Sequence, residues 1–474
     1  MALSPLRCAT VALATWAFLP AGIPQAAGAA VDAPVADAAQ RNNPDAVIAL
    51  LDTGGNPNES QPDGATPLHW AVHWEAADLV ERLILDGAEV DAVNDLGVSA
   101  LAIACRNGST PMVDLLVDAA ASVFITEPSG ETALMTCART GTVGAVGRLL
   151  DAGADVDARE QASGQTALMW AASGGHADVV RALLASGPGS GVEVDARSGG
   201  AFTPLLFAAR AGSLETTRQL IDAGADVNVT TEAGYSPLLV AAASVDAITG
   251  SDYRLVEAPS EHEAVGGLLL EHGADANQAD QYGMTPLHFA VEMRKPGLLR
   301  ALLAHGADPD RQLTGGLPFR RGDYVGRGAY DEATPFWLAA RLGDVPTMRV
   351  LLEAGANPHL PAARGVTPLL VASGLTQSDS RMVAESELLK AVRMLVLEVG
   401  VDVREVASNG QTAVHGAAGV SGNDLIRFLV EQGADPLAED GRGSTPHDVA
   451  IRTLRPRPVT AALLLQLAGH TGAP

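Results

Sequence analysis

The chain has 474 residues, a net charge of −25 at pH 7 and a hydrophobic content of 47%. This length and hydrophobicity allow a large buried core. The negative charge argues against nucleic acid and anionic membrane surfaces, which attract basic patches. We therefore expect neither a nucleic-acid partner nor membrane insertion of the mature chain, which we expect to be a monomer.

The first predicted element is an export signal over residues 1–29. Arg7 precedes an apolar run over residues 11–19, and Ala27-Gly28-Ala29 offers a cleavage site of the A-x-A type. The run is shorter than the roughly 20 residues that a membrane-spanning helix needs. The sequence therefore predicts a mature chain that begins near Ala30 in the periplasm or outside the cell. A buried N-terminal helix is the alternative.

A hexapeptide typified by TPLHWA then recurs down the chain. Its copies begin at Thr66, Ser99, Thr132, Thr166, Thr203, Ser236, Thr285, Thr334, Thr367, Thr412 and Thr445. The base interval is 33 residues, and three intervals are lengthened to 49, 49 and 45 residues. A fixed period of this size is the signature of stacked structural repeats.

Each copy carries the signals of a helix pair. The Ser or Thr is a favoured N-cap residue, and the Pro that often follows suits the first helical position. A glycine, such as Gly153 in LLDAGADVDA, ends the second helix in a left-handed conformation. Ala120 stands where this glycine is expected, so the helix before it lacks its usual stop.

These motifs together resemble the ankyrin repeat. The resemblance implies an all-α, ankyrin-repeat α-solenoid of about twelve helix-turn-helix units with β-turn or hairpin connections. Residues 30–58 resemble a degraded N-terminal capping repeat, and residues 59–470 read as continuous repeats. The resemblance also implies that the hexapeptide histidines His69, His288 and His415 bond to neighbouring turns. A metal pair of His69 and His73 is the alternative, for which no third ligand is evident beyond Glu75.

Three insertions interrupt the repeats, at residues 244–260, 311–331 and 375–389. Insertions in repeat proteins map to loops, often on the binding side, although long surface loops are also tolerated at little cost. Residues 311–331 include Arg320, Arg321 and Tyr324, and Arg and Tyr are typical anchors of interfaces. The alternative is that these arginines dock on the chain's own acidic surface.

The sequence contains no pattern typical of catalysis. Neither a nucleophile elbow nor a phosphate-binding loop followed by Lys is present, so we predict a protein that is not an enzyme and has no cofactor or bound metal. Cys105 and Cys137 fall on equivalent helices of adjacent repeats. Because stacked helices lie about 8–10 Å apart and a disulfide needs Cα atoms within about 7 Å, we expect two buried free thiols. A disulfide between them is the alternative.

The resemblance implies a protein partner bound on the concave face of turns and first helices. The register of the repeat then predicts a binding cluster of Tyr235, Tyr282, Met284, Met293 and Leu342, with Trp74 as a separate outlier. Exposed aromatic and Met side chains mark interaction sites. Two alternatives remain: the insertions bury this cluster as a satellite core, or the protein is an inhibitor or accessory subunit of a secreted enzyme.

Overall fold

A computed structural model describes residues 33–186, 192–243, 261–315, 330–376, 383–452 and 456–471. Arg320, Arg321 and Tyr324, most of the three insertions and the predicted export signal lie outside these residues. The chain divides into two compact units, one of Met1–Ala211 with Glu215–Ala225 and one of Gly212–Leu214 with Asp226–Pro474.

The described part of the first unit consists of antiparallel helix pairs. Its helices are α1 (Pro34–Gln40), α2 (Pro44–Asp52), α3 (Pro67–His73), α4 (Ala77–Leu85), α5 (Ala100–Asn107), α6 (Thr110–Asp118), α7 (Ala133–Thr140), α8 (Val143–Asp151), α9 (Ala167–Gly174), α10 (Ala177–Leu184), α11 (Pro204–Ala211) and α12 (Leu214–Asp222), the last of which begins at Leu214 of the other unit. Each odd-numbered helix packs on the next odd-numbered helix. In the same way, each even-numbered helix from α4 to α10 packs on its even-numbered neighbour. We call the odd-numbered helices first helices and the even-numbered ones second helices.

The second unit repeats the same arrangement. Its helices are α13 (Pro237–Ala242), α14 (His262–Glu271), α15 (Pro286–Glu292), α16 (Pro296–Ala304), α17 (Pro335–Arg341), α18 (Val345–Glu353), α19 (Pro368–Ala372), α20 (Glu385–Arg393), α21 (Ala413–Gly419), α22 (Asn423–Glu431), α23 (Pro446–Ile451) and α24 (Pro458–Thr471). A π-helical stretch, Met394–Val399, extends α20. None of the helices in the described ranges has the length and apolarity needed to cross a membrane.

The helix ends follow the predicted capping signals. The Thr132 hydroxyl accepts a hydrogen bond from the Met135 N–H at 3.2 Å, and the Ser99 hydroxyl caps α5 in the same way. Gly153 ends the turn after α8 with φ +88°. Helix α6 lacks the usual glycine, as predicted, but it still ends at Asp118, because Ala120 itself adopts the left-handed conformation with φ +63°. Short bridges such as Val93–Ser99 and Thr126–Thr132 close hairpins before the first helices. The structure thus confirms the predicted fold class.

The expectation of two free thiols was wrong. Cys105 and Cys137 form a disulfide between α5 and α7, with their Cα atoms 4.6 Å apart. The error lay in using the distance between helix axes. Because each Cα lies about 2.3 Å from its axis, axes about 8–10 Å apart bring facing Cα atoms within reach of a disulfide. The buried Ala104 and Ala138 beside the cysteines allow this close approach.

Side-chain carboxylate and amide oxygens link consecutive turns of the repeats. In the first unit Asn58 and Asp91 accept hydrogen bonds from main-chain N–H groups one repeat later, those of Glu89 (2.6 Å) and Ser122 (2.7 Å). Phe124 takes this place in the next repeat and cannot accept such a bond. The exposed Phe124 instead lines an open groove of about 160 Å³. The turns of the repeats are therefore joined less firmly at this point.

Candidate partner-binding surfaces

Tyr282 is the most exposed member of the predicted binding cluster in the second unit, with 37% of its surface accessible. Its carbonyl accepts hydrogen bonds from the N–H groups of Thr314 (3.0 Å) and Gly315 (3.1 Å). The preceding residue, Gln281, donates its N–H to the Ala233 carbonyl at 3.1 Å. Three consecutive hairpins thus hold the backbone that displays this side chain.

Met284 is not exposed, which contradicts its place in the predicted cluster. Only 1% of its surface is accessible, because the residue before the helix cap faces into the stack. Ala65, Val98 and Val366, at the same position in other repeats, are buried as well. Tyr235 shares this position but is half-buried, and burial, with smaller effects of Asp280 and Tyr282, raises its pKa to about 12.

The hairpin below Tyr282 is shaped by Asp280. One carboxylate oxygen of this buried residue accepts hydrogen bonds from the N–H groups of Tyr282 and Met284, both at 2.9 Å. Burial nevertheless raises the pKa of the Asp280 carboxyl group. Asp280 therefore positions the hairpin from inside and is not itself a contact surface.

Met293 and Leu342 follow the first helices α15 and α17 and are half-buried. Next to them Arg341 donates to Glu292 at 2.5 Å, and both side chains are largely buried. The Arg341 guanidinium lies 5.3 Å from the Tyr330 ring centroid, and this ring meets Trp337 edge-on at 5.9 Å. Tyr330, near the end of the 311–331 insertion, thus packs onto α17. For this one residue the structure agrees with the alternative that the insertions form a satellite core.

The outlier Trp74 lies in the first unit at the end of α3 and is exposed. Its indole N–H donates to the Gln40 carbonyl at 3.2 Å, and its ring packs edge-on against His73 with centroids 4.7 Å apart. Its orientation is therefore fixed by α1 and α3.

Sequence inspection missed a set of arginines in the first unit. Arg106, Arg139 and Arg210 each stand two residues after a hexapeptide, near the ends of α5, α7 and α11. We call these three residues the arginine row. Their shared position in the repeat was the signal that could have identified them, although the chain as a whole is strongly acidic.

The hexapeptide histidines have the structural role that the resemblance implied. The Nδ1 of His69 is hydrogen-bonded to the Thr66 hydroxyl at 2.8 Å, and its Nε2 lies 3.0 Å from the Val98 carbonyl of the next repeat. His288 is bound in the same way to Thr285, and burial lowers its pKa to about 4. In the part of the chain that the structure describes, no three His, Cys, Asp or Glu side chains are grouped to hold a metal.

Comparison with known proteins identifies the repeats directly. A model of tandem ankyrin repeats matches residues 35–127, 120–198 and 256–312. A model of the single ankyrin repeat matches residues 202–232, 331–362 and 409–441. Together these matches cover more than half of the chain. Ankyrin repeats generally mediate protein–protein interaction, and proteins built from them are typically not enzymes.

Individual relatives match over shorter stretches. An ankyrin repeat-containing protein of Treponema pallidum is 34% identical over 137 residues, which are 28% of this chain and 39% of that protein. The ankyrin repeat, SAM and basic leucine zipper domain-containing protein 1 of Dasypus novemcinctus is 30% identical over 119 residues, 25% of this chain and 22% of that protein. The 2-5A-dependent ribonuclease of Mus musculus is 41% identical over 73 residues, 15% of this chain and 10% of that protein. The chain thus spans less than half the length of each of these relatives. The likeness lies in the repeats, and the chain belongs to the ankyrin repeat family.

Proposed function

We propose that this protein is an extracytoplasmic scaffold that binds a protein partner through the concave face formed by its hairpins and first helices. The observation that carries the binding proposal is the exposure of Tyr282 on a backbone held by three consecutive hairpins. Aromatic side chains that are exposed and rigidly held are typical anchors of interfaces, because little entropy is lost when they bind.

The disulfide between Cys105 and Cys137 supports the extracytoplasmic location. Disulfides persist in oxidising compartments and are rare in the reducing cytosol. The predicted export signal over residues 1–29 points the same way. The two arguments are independent, since one rests on packing and the other on the N-terminal sequence.

The binding proposal is tested by crosslinking a tagged chain to its partners in extracytoplasmic extract from the source organism. Proteins captured by the wild type should be lost with Tyr282→Ala/Met293→Ala and retained with Leu437→Ala. Leu437 is a suitable control because it is exposed in the same unit but lies in the turn after α22. Hot-spot residues contribute about 2 kcal/mol each, so the loss should be at least about thirtyfold. Equal capture by all three proteins, each still helical by circular dichroism, would place the site elsewhere.

The location is tested on protein isolated from the source organism. N-terminal sequencing should begin near residue 30, and thiol titration of the denatured protein should detect neither Cys105 nor Cys137. A chain that retains Met1 and has both of these thiols free would refute export.

A further inference from the structure

The arginine row gives the first unit a basic feature in a chain of net charge −25. Arg106, Arg139 and Arg210 occupy the same repeat position, and Ser173 occupies it in α9, between Arg139 and Arg210. Their helices pack in the order α5, α7, α9 and α11. The same position in the second unit carries no such run; it holds Ala243, Glu292, Arg341, Gly374, Gly419 and Arg452.

The guanidinium groups are more exposed to solvent than the carboxylates with which they pair. Arg106 donates to Glu127, and Arg139 forms an ion pair with Glu131 in which nitrogen and oxygen lie 3.2 Å apart. The two arginine side chains are 34% and 41% exposed, whereas the two glutamates are 15% and 13% exposed. Burial raises the pKa of Glu127 despite the attraction of Arg106. An approaching anion therefore meets the arginines first.

Aromatic rings hold two of the arginines in place. The Arg139 guanidinium lies 4.7 Å from the ring centroid of Trp170, and that of Arg210 lies 5.1 Å from the ring centroid of Phe207. Arg210 also donates to the Ser173 hydroxyl at 3.3 Å. A guanidinium fixed over a ring loses little freedom when its N–H groups bind a carboxylate in bidentate fashion.

We propose that the arginine row binds an acidic segment of the protein partner, in extended conformation. This proposal rests on the proposed function and specifies the chemistry of the partner. Neighbouring helices lie about 8–10 Å apart, and a segment in the extended polyproline II conformation advances about 3.1 Å per residue and turns every third side chain to the same side. Each repeat therefore corresponds to about three residues of the partner. Arg106, Arg139 and Arg210 select acidic side chains at positions i, i+3 and i+9.

A protein segment fits this surface better than nucleic acid does. Nucleic-acid binding depends on neutralising many phosphates. Here three arginines are interleaved with Glu127 and Glu131, and the chain as a whole is strongly acidic. Widely spaced carboxylates suit this pattern, whereas a continuous phosphate backbone is repelled by the intervening glutamates.

The test uses a fluorescein-labelled, 13-residue peptide of Gly and Ser with Glu at positions 2, 5 and 11, capped at both ends. Its binding to the full chain at low ionic strength is followed by fluorescence anisotropy. Arg106→Ala/Arg139→Ala/Arg210→Ala should weaken binding about tenfold or more, and a peptide with Gln in place of Glu should not bind. The control Arg82→Ala/Arg148→Ala/Arg181→Ala removes the same charge from the second helices and should change affinity less than about twofold. Equal weakening by both triple variants would overturn the proposal, because only the overall charge would then matter.

A second variant covers the case in which loss of the arginines prevents folding. Glu127→Gln/Glu131→Gln releases the guanidinium groups from their carboxylates and should tighten peptide binding about threefold to tenfold. Unchanged or weaker binding by this variant would refute the arginine row as the site. Tighter binding of a twelve-residue oligothymidylate to the wild type, also lost in the arginine variant, would assign the row to nucleic acid instead. Capture of the native partner through Tyr282 and Met293 does not depend on these outcomes, so the two proposals can fail separately.

Discussion

The imidazole of His288 lies fully buried between two repeats of the second unit. Its Nδ1 is hydrogen-bonded to the Thr285 hydroxyl, and its Nε2 lies 3.4 Å from the Ala333 carbonyl. Burial favours the neutral ring and lowers its pKa from 6.5 to about 4. A histidine in this position links the stability of the repeats to pH.

Between pH 6.5 and about 4 the unfolded chain binds a proton at His288 that the folded chain does not. The contribution of His288 to the free energy of unfolding is therefore complete above pH 6.5. It is lost as the pH falls towards 4, which lowers the free energy of unfolding by on the order of 3 kcal/mol. His288→Gln should remove this contribution. Urea unfolding from pH 7 to 4.5 should show a smaller fall in the free energy of unfolding of the second unit in the variant than in the wild type. Parallel pH profiles of the two proteins would contradict this account.

Single residues also show what the sequence could and could not predict. The burial of Met284 was predictable, because its position is apolar in several other repeats (Ala65, Val98 and Val366). The disulfide was harder to foresee, since it depends on how closely α5 and α7 approach, a distance that no repeat motif encodes. The arginine row was visible as a repeated position, but its partners Glu127 and Glu131 became evident only when the hairpins were placed.

Helix α6 ends without the glycine found after most second helices of this chain. Ala120 adopts a left-handed backbone with φ +63°, which is unfavourable for a residue with a Cβ atom by roughly 1–2 kcal/mol. The side chain of Ala120 is exposed, so a glycine there would lose no packing. The glycine that usually ends a second helix was predictable from the sequence. That Ala120 can take its place was not, because packing of α6 on α4 and α8 compensates for the unfavourable backbone.

Ala120→Gly should therefore stabilise the first unit, although the greater freedom of glycine in the unfolded chain offsets part of the gain. We expect a net increase of about 0.5–1 kcal/mol in the free energy of unfolding, measured by urea denaturation. The matched control is Ala119→Gly, one residue earlier, where φ is −81° and glycine should destabilise. A lower stability of Ala120→Gly than of the wild type would refute the assignment of strain.

Each repeat of either unit contacts mainly its neighbours, as the recurring period predicted. Repeat arrays of this kind unfold locally, with a stability that varies along the chain. The division into two units was not predictable from the period, because the boundary falls at residues 211–226, within a regular interval of 33 residues between Thr203 and Ser236. The disulfide adds a constraint to the first unit alone.

Removal of the disulfide should therefore act locally. Cys105→Ala/Cys137→Ala opens a loop of 32 residues, and we expect a loss of about 4 kcal/mol from the first unit. Alanine occupies the neighbouring positions 104 and 138, so the core should accept the substitution. Hydrogen exchange followed by mass spectrometry should show faster exchange in α5 to α8 and unchanged exchange in α15 to α22. An equal increase in both units would mean that the chain unfolds as one cooperative body.

The same disulfide changes how the chain responds to mechanical force. When tension is applied at the two ends, it passes directly from Cys105 to Cys137 through the sulfur atoms. The intervening segment carries no load, even after α5 and α7 have separated. A fully stretched molecule is then shorter by about 100–110 Å than its number of residues would give, since an extended chain spans about 3.3–3.6 Å per residue and the bridge itself spans only a few ångströms. Reduction releases this hidden length, so the oxidation state of the surroundings sets how far the chain can be extended.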